Sequence, residues 1–312
     1  MRRKGWVYAV DDVSFFVNRG QTLGIVGESG CGKTTLGRCI MGLYPLTAGK
    51  VKIHGQSIAG MTRDKHRQLA LKLQMIFQDP FDSLDPRQTI GQILAEKYRI
   101  HHRAGPDLDR EIEGLIQRVG LSLEVLGKYP HEFSGGQRQR VGIARAVSMD
   151  PDIIICDEPV SALDVSVQSK ILNLLLKLQE EMGLTYLFIS HDLSVVRHIS
   201  DRIAVMYLGK IVEMADVDTI HDRAAHPYTR ALLSAVPMPD PFAKKQHIVL
   251  KGEIPSVEHP PSGCRFHTRC PHVQKICREQ EPALLPDENE DTHLTACHLK
   301  DIIIKNNHNI KA

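Results

Sequence analysis

Four short apolar runs punctuate the chain: Leu23-Gly24-Ile25-Val26, Met75-Ile76-Phe77, Pro151 to Cys156 and Leu184 to Ile189. Runs this brief, with no polar alternation, suit strands buried on both faces, as in parallel sheets covered by helices. Between them the apolar spacing lengthens to three and four. Leu36, Ile40 and Leu43 predict a helix from Thr35 to Leu43. Ile90, Ile93 and Leu94 share one helical face, and Ile112, Leu115, Ile116 and Val119 share another, so the stretch from Ser83 to Ser148 reads as mainly helical. Val167, Ile171, Leu174, Leu175 and Leu178 predict a long amphipathic helix whose stripe is core. Strands alternating with helices predict an α/β fold.

Other stretches alternate with a period of two. Val7, Ala9, Val13, Phe15 and Val17 suit an antiparallel strand closed by a turn at Asn18-Arg19-Gly20. A short hairpin is expected around Gly55, and a second from Ile203 to Leu208 and from Ile211 to Glu213, turning at Gly209-Lys210. No internal repeat is found. Beyond about residue 220, Pro237, Pro239, Pro241, Pro255, Pro260, Pro261 and Pro271 argue against long helices and mark a domain boundary or an appendage.

The chemistry starts where the first apolar run ends. Gly27-Glu28-Ser29-Gly30-Cys31-Gly32-Lys33-Thr34 fits G-x-x-x-x-G-K-[ST], between a predicted strand and a predicted helix. In that order, backbone N–H groups of the loop and the positive end of the helix dipole converge on an anion. Lys33 reaches β- and γ-phosphates, and the Thr34 hydroxyl helps to hold Mg²⁺. The run Pro151 to Cys156 ends in Asp157 and Glu158. A carboxylate at a strand tip can hold the Mg²⁺ shell, and its neighbour can polarise water as a general base. The bland alternative, two acids starting a turn at Pro159, is weakened by Ser161-Ala162-Leu163-Asp164 just after and by Ser190-His191 at the end of the next apolar run. Ser134-Gly135-Gly136-Gln137 opens a helix predicted from Gln137 to Ser148 and offers its dipole and first N–H groups to a phosphate.

Taken in order, these elements resemble the ATP-binding subunit of an ABC transporter. The matching segments are the Walker A loop Gly27 to Thr34, the Q-loop Gln78-Asp79-Pro80, the signature Ser134 to Gln137, the Walker B end Asp157-Glu158, the D-loop Ser161 to Asp164 and the switch His191. The resemblance implies a P-loop ABC cassette, with a RecA-like mixed-sheet core, a helical subdomain at about 83–148 and a small Pro/Cys-rich C-terminal extension. It implies ATP as substrate with Mg²⁺. Gly27, Ser29, Gly30, Gly32, Lys33, Thr34 and Thr35 would hold the nucleotide, and Thr34, Gln78 and Asp157 the metal. Glu158, His191, Lys33 and Gln78 would serve hydrolysis. It further implies a head-to-tail dimer in which Ser134, Gly135, Gly136 and Gln137 contact the ATP bound by the partner. Phe133 stands where most of the family has Leu, a conservative apolar change. Only eight residues precede Ala9, fewer than the family pattern puts before it, which a truncated or misassigned start would explain. Trp6 and Tyr8 are the aromatic candidates to stack on adenine.

Composition narrows the alternatives. The 312 residues carry 39 Lys+Arg against 37 Asp+Glu, net +2, which gives no push toward nucleic acid. No apolar run approaches the roughly 18 residues of a membrane span. The basic Met1-Arg2-Arg3-Lys4 is followed by no apolar segment, so no signal peptide is expected. The expectation is a cytoplasmic protein that reaches a membrane through partners. A soluble ABC ATPase acting on nucleic acid or ribosomes fits poorly with one cassette and balanced charge. A non-catalytic regulatory subunit fits poorly with intact Glu158 and His191.

Cys31, Cys39 and Cys156 are isolated and expected to be inert, with Cys31 open to alkylation by its place on the loop. Cys264, Cys270, Cys277 and Cys297 are clustered as C-x5-C-x6-C-x19-C. Clustered cysteines in a cytosolic chain read as a metal or cluster site before they read as disulfides. His267, His272, His293 and His298 keep zinc open by ligand type, although the spacing is not C-x2-C. The tail also resembles the C-terminal extension of oligopeptide/dipeptide and nickel ABC importer ATPases, through His226-Pro227-Tyr228, Gly252-Glu253-Ile254-Pro255, Pro260 to His267 and Arg269-Cys270-Pro271. Gln74 to Phe81 and Ser83-Leu84-Asp85-Pro86-Arg87 resemble the second ("F") of the two unlike ATPase subunits. These resemblances imply a [4Fe-4S] cluster on Cys264, Cys270, Cys277 and Cys297, a nucleotide-binding domain over 1–225 and an extension over 226–312. The implied partners are a sister ATPase, two transmembrane permease subunits and an extracytoplasmic solute-binding protein, at the cytoplasmic face of the inner membrane. The expected work is peptide import, with nickel or another small solute as the alternative cargo.

Overall fold

The computed structural model describes residues 5–79, 83–236, 247–287 and 290–300. The elements are β1 (Thr22–Val26), α1 (Lys33–Ile40), β2 (Lys52–Ile53), β3 (Gln56–Ser57), α2 (Arg63–Lys72), β4 (Leu73–Ile76), α3 (Ile90–Ile100) and α4 (Leu108–Arg118). Two 3-10 turns, Leu123–Gly127 and Pro130–Glu132, precede α5 (Gly135–Val147), β5 (Ile153–Asp157), α6 (Val165–Met182), β6 (Thr185–Ser190) and α7 (Leu193–Ile199). Then follow β7 (Arg202–Tyr207), β8 (Lys210–Asp216), α8 (Val217–Arg223), α9 (Pro227–Ala235), α10 (Lys275–Glu279), β9 (Leu285–Asp287) and β10 (Glu290–Thr295). The chain divides into two compact units, one drawn from Met1–Phe16, Thr22–Leu36 and Ser190–Ala312, the other from Val17–Gln21 and Gly37–Ile189.

In the first unit β1 runs parallel to β7, with Val26 opposite Val205. All five residues of β1 are buried, as its unbroken apolar run requires. Helix α7 lies so close to β1 that a Cβ on Gly24 would come within 2.2 Å of Val196 Cγ1. β7 turns into antiparallel β8 through Leu208-Gly209, both at positive φ (43° and 80°), the signature of a tight primed hairpin turn. β10 pairs antiparallel with β8 and β9 with β10, so strands of the Pro-rich tail extend this sheet. Helix α9 starts with Pro227 in its first turn, where the missing N–H costs nothing, and the His226 ring accepts the Tyr228 N–H.

The second unit holds the parallel strands β4, β5 and β6, with Leu73 opposite Ile153 and Ile153 opposite Thr185. Thr89 and Gln92 form a reciprocal cap on α3, and Ser134 and Gln137 form one on α5. Gly183, at φ 64°, terminates α6 in the left-handed conformation. Ile90, Ile93, Leu94, Ile112, Leu115, Ile116 and Val119 are all buried, as their spacing predicts.

Three expectations need correction. Residues 7–17 form no strand. Alternation alone makes a strand only if a neighbour supplies a ladder. Here the Tyr8 N–H goes to the Val257 carbonyl and the Asp11 N–H to the Gly209 carbonyl, while Val7 and Phe16 stay 58% and 63% exposed. Helix α1 runs over Lys33–Ile40 rather than from Thr35 to Leu43, and stops short of Gly42, which sits at φ 74°. The signature helix begins at Gly135, two residues before the predicted start, because Ser134 caps it. Met1 to Lys4, Pro80, Phe81, Pro237, Pro239 and Pro241 lie outside the described residues.

Candidate nucleotide site

The phosphate loop is built from the end of β1 and the start of α1. Gly30 and Gly32 sit at φ 80° and 108°, where a side chain is strained. At Gly32 space is also missing, because a Cβ would lie 1.9 Å from the Ala9 carbonyl oxygen. Gly27 is closed by the Met206 carbonyl, 2.1 Å from where its Cβ would be. Lys33 is 4% exposed, and its Nζ donates to the Gly27 carbonyl at 2.7 Å and the Glu28 carbonyl at 3.1 Å. The ammonium is thus held inside the loop it heads, where it can exchange carbonyl partners for phosphate oxygens. Thr34 and Thr35 follow on the first turn of α1, both half-buried. Cys31 is buried, and burial first of all raises its thiol pKa. A buried, protonated thiol is a poor nucleophile. Tyr8 carries the Arg265 guanidinium 5.9 Å over its ring, while Trp6 is 57% exposed.

In the second unit the parallel strands bring three functional candidates to one edge. Asp157 ends β5, 2% exposed and in register with Ile189. Glu158 follows at φ 48°, a left-handed conformation that a non-glycine residue adopts at a cost of about 1–3 kcal/mol. Its N–H is fixed on the Ile189 carbonyl at 2.9 Å. Gln78, just beyond β4, donates from Nε2 to Glu158 Oε2 at 3.1 Å. Two residues 80 apart in sequence therefore meet through the pairing of β4 with β5. His191, which belongs to the first unit, follows β6 directly and is exposed.

The signature is a helix N-terminus. Ser134 Oγ accepts the Gln137 N–H at 3.4 Å, and Gln137 Oε1 accepts the Ser134 N–H at 3.0 Å. Gly135 and Gly136 supply first-turn amides, which have no carbonyl partner within the helix. A Cβ on Gly136 would meet Val167 Cγ1 at 2.5 Å, so α6 demands glycine there. Phe133 is 6% exposed, which fits an apolar exchange.

Chain comparison identifies the arrangement. Residues 10–161 match the family model described as ABC transporter, and residues 212–277 match that of the oligopeptide/dipeptide transporter C-terminal region. The chain is 53% identical over 302 residues to the oligopeptide transport ATP-binding protein AppF of Bacillus subtilis, covering 96% of this chain and 91% of that one. It is 50% identical over 296 residues to OppF of Salmonella typhimurium, covering 93% and 87%. The chain belongs to the ABC transporter ATP-binding proteins. Among solved structures it resembles the ATP-binding cassette MJ0796 in a dimeric post-hydrolysis state with ADP and Pi, at TM-score 0.63 and 29% identity over 70% of this chain and 94% of that one. ATP and Mg²⁺ are the ligands of such an ABC ATPase, and no helix among the described residues is long and apolar enough to cross a membrane.

In the tail of this ABC ATPase the four clustered cysteines are free thiols, Cys277 buried and the other three half-buried. The Cys264 N–H donates to the Cys277 carbonyl at 2.8 Å. Burial raises the Cys264 thiol to about 11 and the Cys297 thiol to about 12, and the neighbouring thiols push both further up. Among the described residues no three His, Cys, Asp or Glu side chains converge as a single metal ion requires. Three of the four nearby histidines have other partners. His293 bridges Glu213 and Asp287 at 2.8 Å each, His267 Nδ1 pairs with the Cys264 carbonyl, and His298 with the Gln280 carbonyl. Sequence reasoning missed two residues that touch the phosphate loop, Tyr228 and Arg269. Both sit in motifs that marked only the family of the tail, and Arg269 meets Glu28 across 241 residues.

Proposed function

We propose that this chain is the ATP-hydrolysing subunit that powers peptide import through a membrane ABC transporter. The observation that carries the reading is one chain holding both a full set of ABC ATPase residues and a tail matching the oligopeptide/dipeptide transporter C-terminal region. The reaction is phosphoryl transfer from ATP to water. Lys33, with Gly27, Ser29, Gly30, Gly32, Thr34 and Thr35, neutralises and cradles the phosphates. Thr34, Asp157 and Gln78 would hold Mg²⁺, which would supply neutralisation of the charge on the phosphates. Glu158 acts as general base on the attacking water, and its left-handed backbone and Gln78 hydrogen bond support a fixed aim. His191 contacts the γ-phosphate. Ser134, Gly135, Gly136 and Gln137 serve the ATP held by a sister ATPase, which supports a heterodimer working with two permease subunits and an extracytoplasmic binding protein. Its place is then peripheral, on the cytoplasmic face of the inner membrane.

The nucleotide-binding domain spans 1–225, with the helical subdomain at about 83–148. The extension 226–312 is built onto it, β10 pairing with β8. The donor set of Cys264, Cys270, Cys277 and Cys297, four free cysteines in the tail, has the thiolate chemistry that a [4Fe-4S] cluster takes. Such a cluster would supply thiolate–iron links that hold the tail together. Protonated thiols must release their protons to ligate, so loading favours higher pH.

Glu158→Gln tests the reading. The variant keeps Mg-ATP binding and loses about 10²–10⁴ in hydrolysis rate in the assembled transporter. Unchanged turnover removes Glu158 from the base role.

A further inference from the structure

Glu28, the second residue of the phosphate loop, is gripped at all three of its polar groups. Its N–H donates to the Tyr228 hydroxyl oxygen at 2.8 Å. Its carboxylate takes a two-pronged ion pair from Arg269, Nη1 to Oε2 at 2.7 Å and Nη2 to Oε1 at 3.1 Å. Its carbonyl holds the Lys33 ammonium at 3.1 Å. Two of these three partners come from the C-terminal extension.

Both are rigidly mounted. The Tyr228 ring is fully buried, 4.7 Å from that of Tyr207 and 5.4 Å from that of Phe266, itself 1% exposed. Arg269 is 8% exposed at its side chain, and its fork geometry matches a carboxylate. Four residues earlier Arg265 reaches Asp11 and the Leu208 carbonyl, and the Gly209 N–H returns to the Cys31 carbonyl at 2.8 Å. The loop is therefore fastened to the tail and to the β7–β8 turn at several points.

We propose that Arg269 and Tyr228 are positioning residues of the ATP site: they fix Glu28, neutralise its charge beside the phosphates, and so hold the loop in its anion-binding shape. The inference rests on the reading of Gly27 to Thr34 as the ATP loop. A carboxylate inside a phosphate loop opposes a triphosphate electrostatically. Arg269 removes that opposition, and the sequence places it directly before Cys270, so the order of the cysteine site bears on the loop. Tyr228 takes the Glu28 amide on its hydroxyl oxygen and so pins the backbone at the second position of the loop.

The test is titration of the purified full-length chain with Mg²⁺ and a fluorescent ATP analogue. Arg269→Gln is expected to weaken binding about tenfold, because it leaves Glu28 uncompensated. Glu28→Gln together with Arg269→Gln recovers most of that loss, since a neutral pair no longer repels phosphate. Arg269→Lys, which keeps the charge without the fork and leaves the tail folded, falls between. Tyr228→Phe weakens binding while the thermal midpoint stays close to that of the parent. Parent-like affinity in Arg269→Gln overturns the proposal. A double variant as weak as Arg269→Gln also overturns it, because the arginine then merely holds the tail in place. If Lys33→Ala binds the analogue as the parent does, the nucleotide reading of the loop fails, and this inference falls with it. Loss in Lys33→Ala with no change in Arg269→Gln sinks the inference alone.

Discussion

Replacing Lys97 by methionine is expected to change how stability depends on pH. Lys97 lies in the last turn of α3, and its ammonium donates to the Arg145 carbonyl at 2.6 Å and to the Gln74 side-chain oxygen. It ties β4, the strand that leads to Gln78, to the end of the signature helix α5. Burial, and then the nearby Arg145 charge, lower its pKa from 10.5 to about 7. In the unfolded chain the proton leaves near the ordinary lysine value. Between the two values the unfolded state binds one more proton, so stability rises with pH across that window. Each pH unit is worth about 1.4 kcal/mol, so between pH 7.5 and 9.5 the contribution is about 2–3 kcal/mol. Methionine keeps the aliphatic stem and removes the charge. Its stability relative to the parent is greatest near pH 7 and below, and falls by that amount by pH 9.5. Losing two hydrogen bonds adds a cost that does not vary with pH, so the slope isolates the charge. Urea unfolding followed by circular dichroism at four pH values, with equal m-values, measures it. Parallel curves for parent and variant would show that Lys97 stays protonated in the fold, and the argument from burial would be wrong.

Gln78→Ala removes the amide that holds Glu158 and is expected to lower permease-stimulated hydrolysis by roughly tenfold while ATP binding stays largely intact; an equal fall in basal and stimulated rates would make Gln78 a simple ligand rather than a coupler. Protein purified without oxygen is expected to be brown, with absorbance near about 400 nm. Cys270→Ser should lose that colour and open the tail to protease while ATP binding persists; colourless parent protein with stoichiometric zinc refutes the cluster. His293 is pulled down by burial, but its hydrogen bond to Glu213 and the charges of Glu213, Asp287 and Glu290 outweigh this and raise its pKa. Its ion pairs therefore stabilise fully below the ordinary value of 6.5 and fade as pH rises through the raised one, so His293→Gln should cost most near pH 6 in thermal melts. A cost that grows with pH would reverse that assignment.

Much of the ATPase was legible because its motifs carry their own local physics. Gly27 to Thr34 follows a strand that is apolar without a break, and Ser134 and Gln137 cap a helix within four residues. The β5 run ends at Asp157 because a carboxylate belongs at a strand tip and not inside a sheet. Such features depend on neighbours a few positions away. What failed depends on distant ones. Residues 7–17 alternate properly, yet their backbone bonds go singly to Val257 and Gly209, and no local pattern reveals that a ladder partner is missing. Nor does any pattern show that Glu158 sits at φ 48°, just past the end of β5 with its N–H on the distant Ile189 carbonyl.

The tail makes the same point more sharply. Its prolines agree with short helices, since among the described residues α9 and α10 run only nine and five residues. Prolines say nothing, however, about where a segment is fastened. That is decided by Phe266 and Tyr228 packing on Tyr207, by β10 joining β8, and by Arg269 reaching Glu28. Each contact joins residues more than 20 apart, and each ends on the unit that carries the phosphate loop. An extension that served only to dock a partner would keep its buried polar groups to itself. This one places a shielded arginine on a residue inside the loop, so a change in the tail must alter the loop's preferred shape.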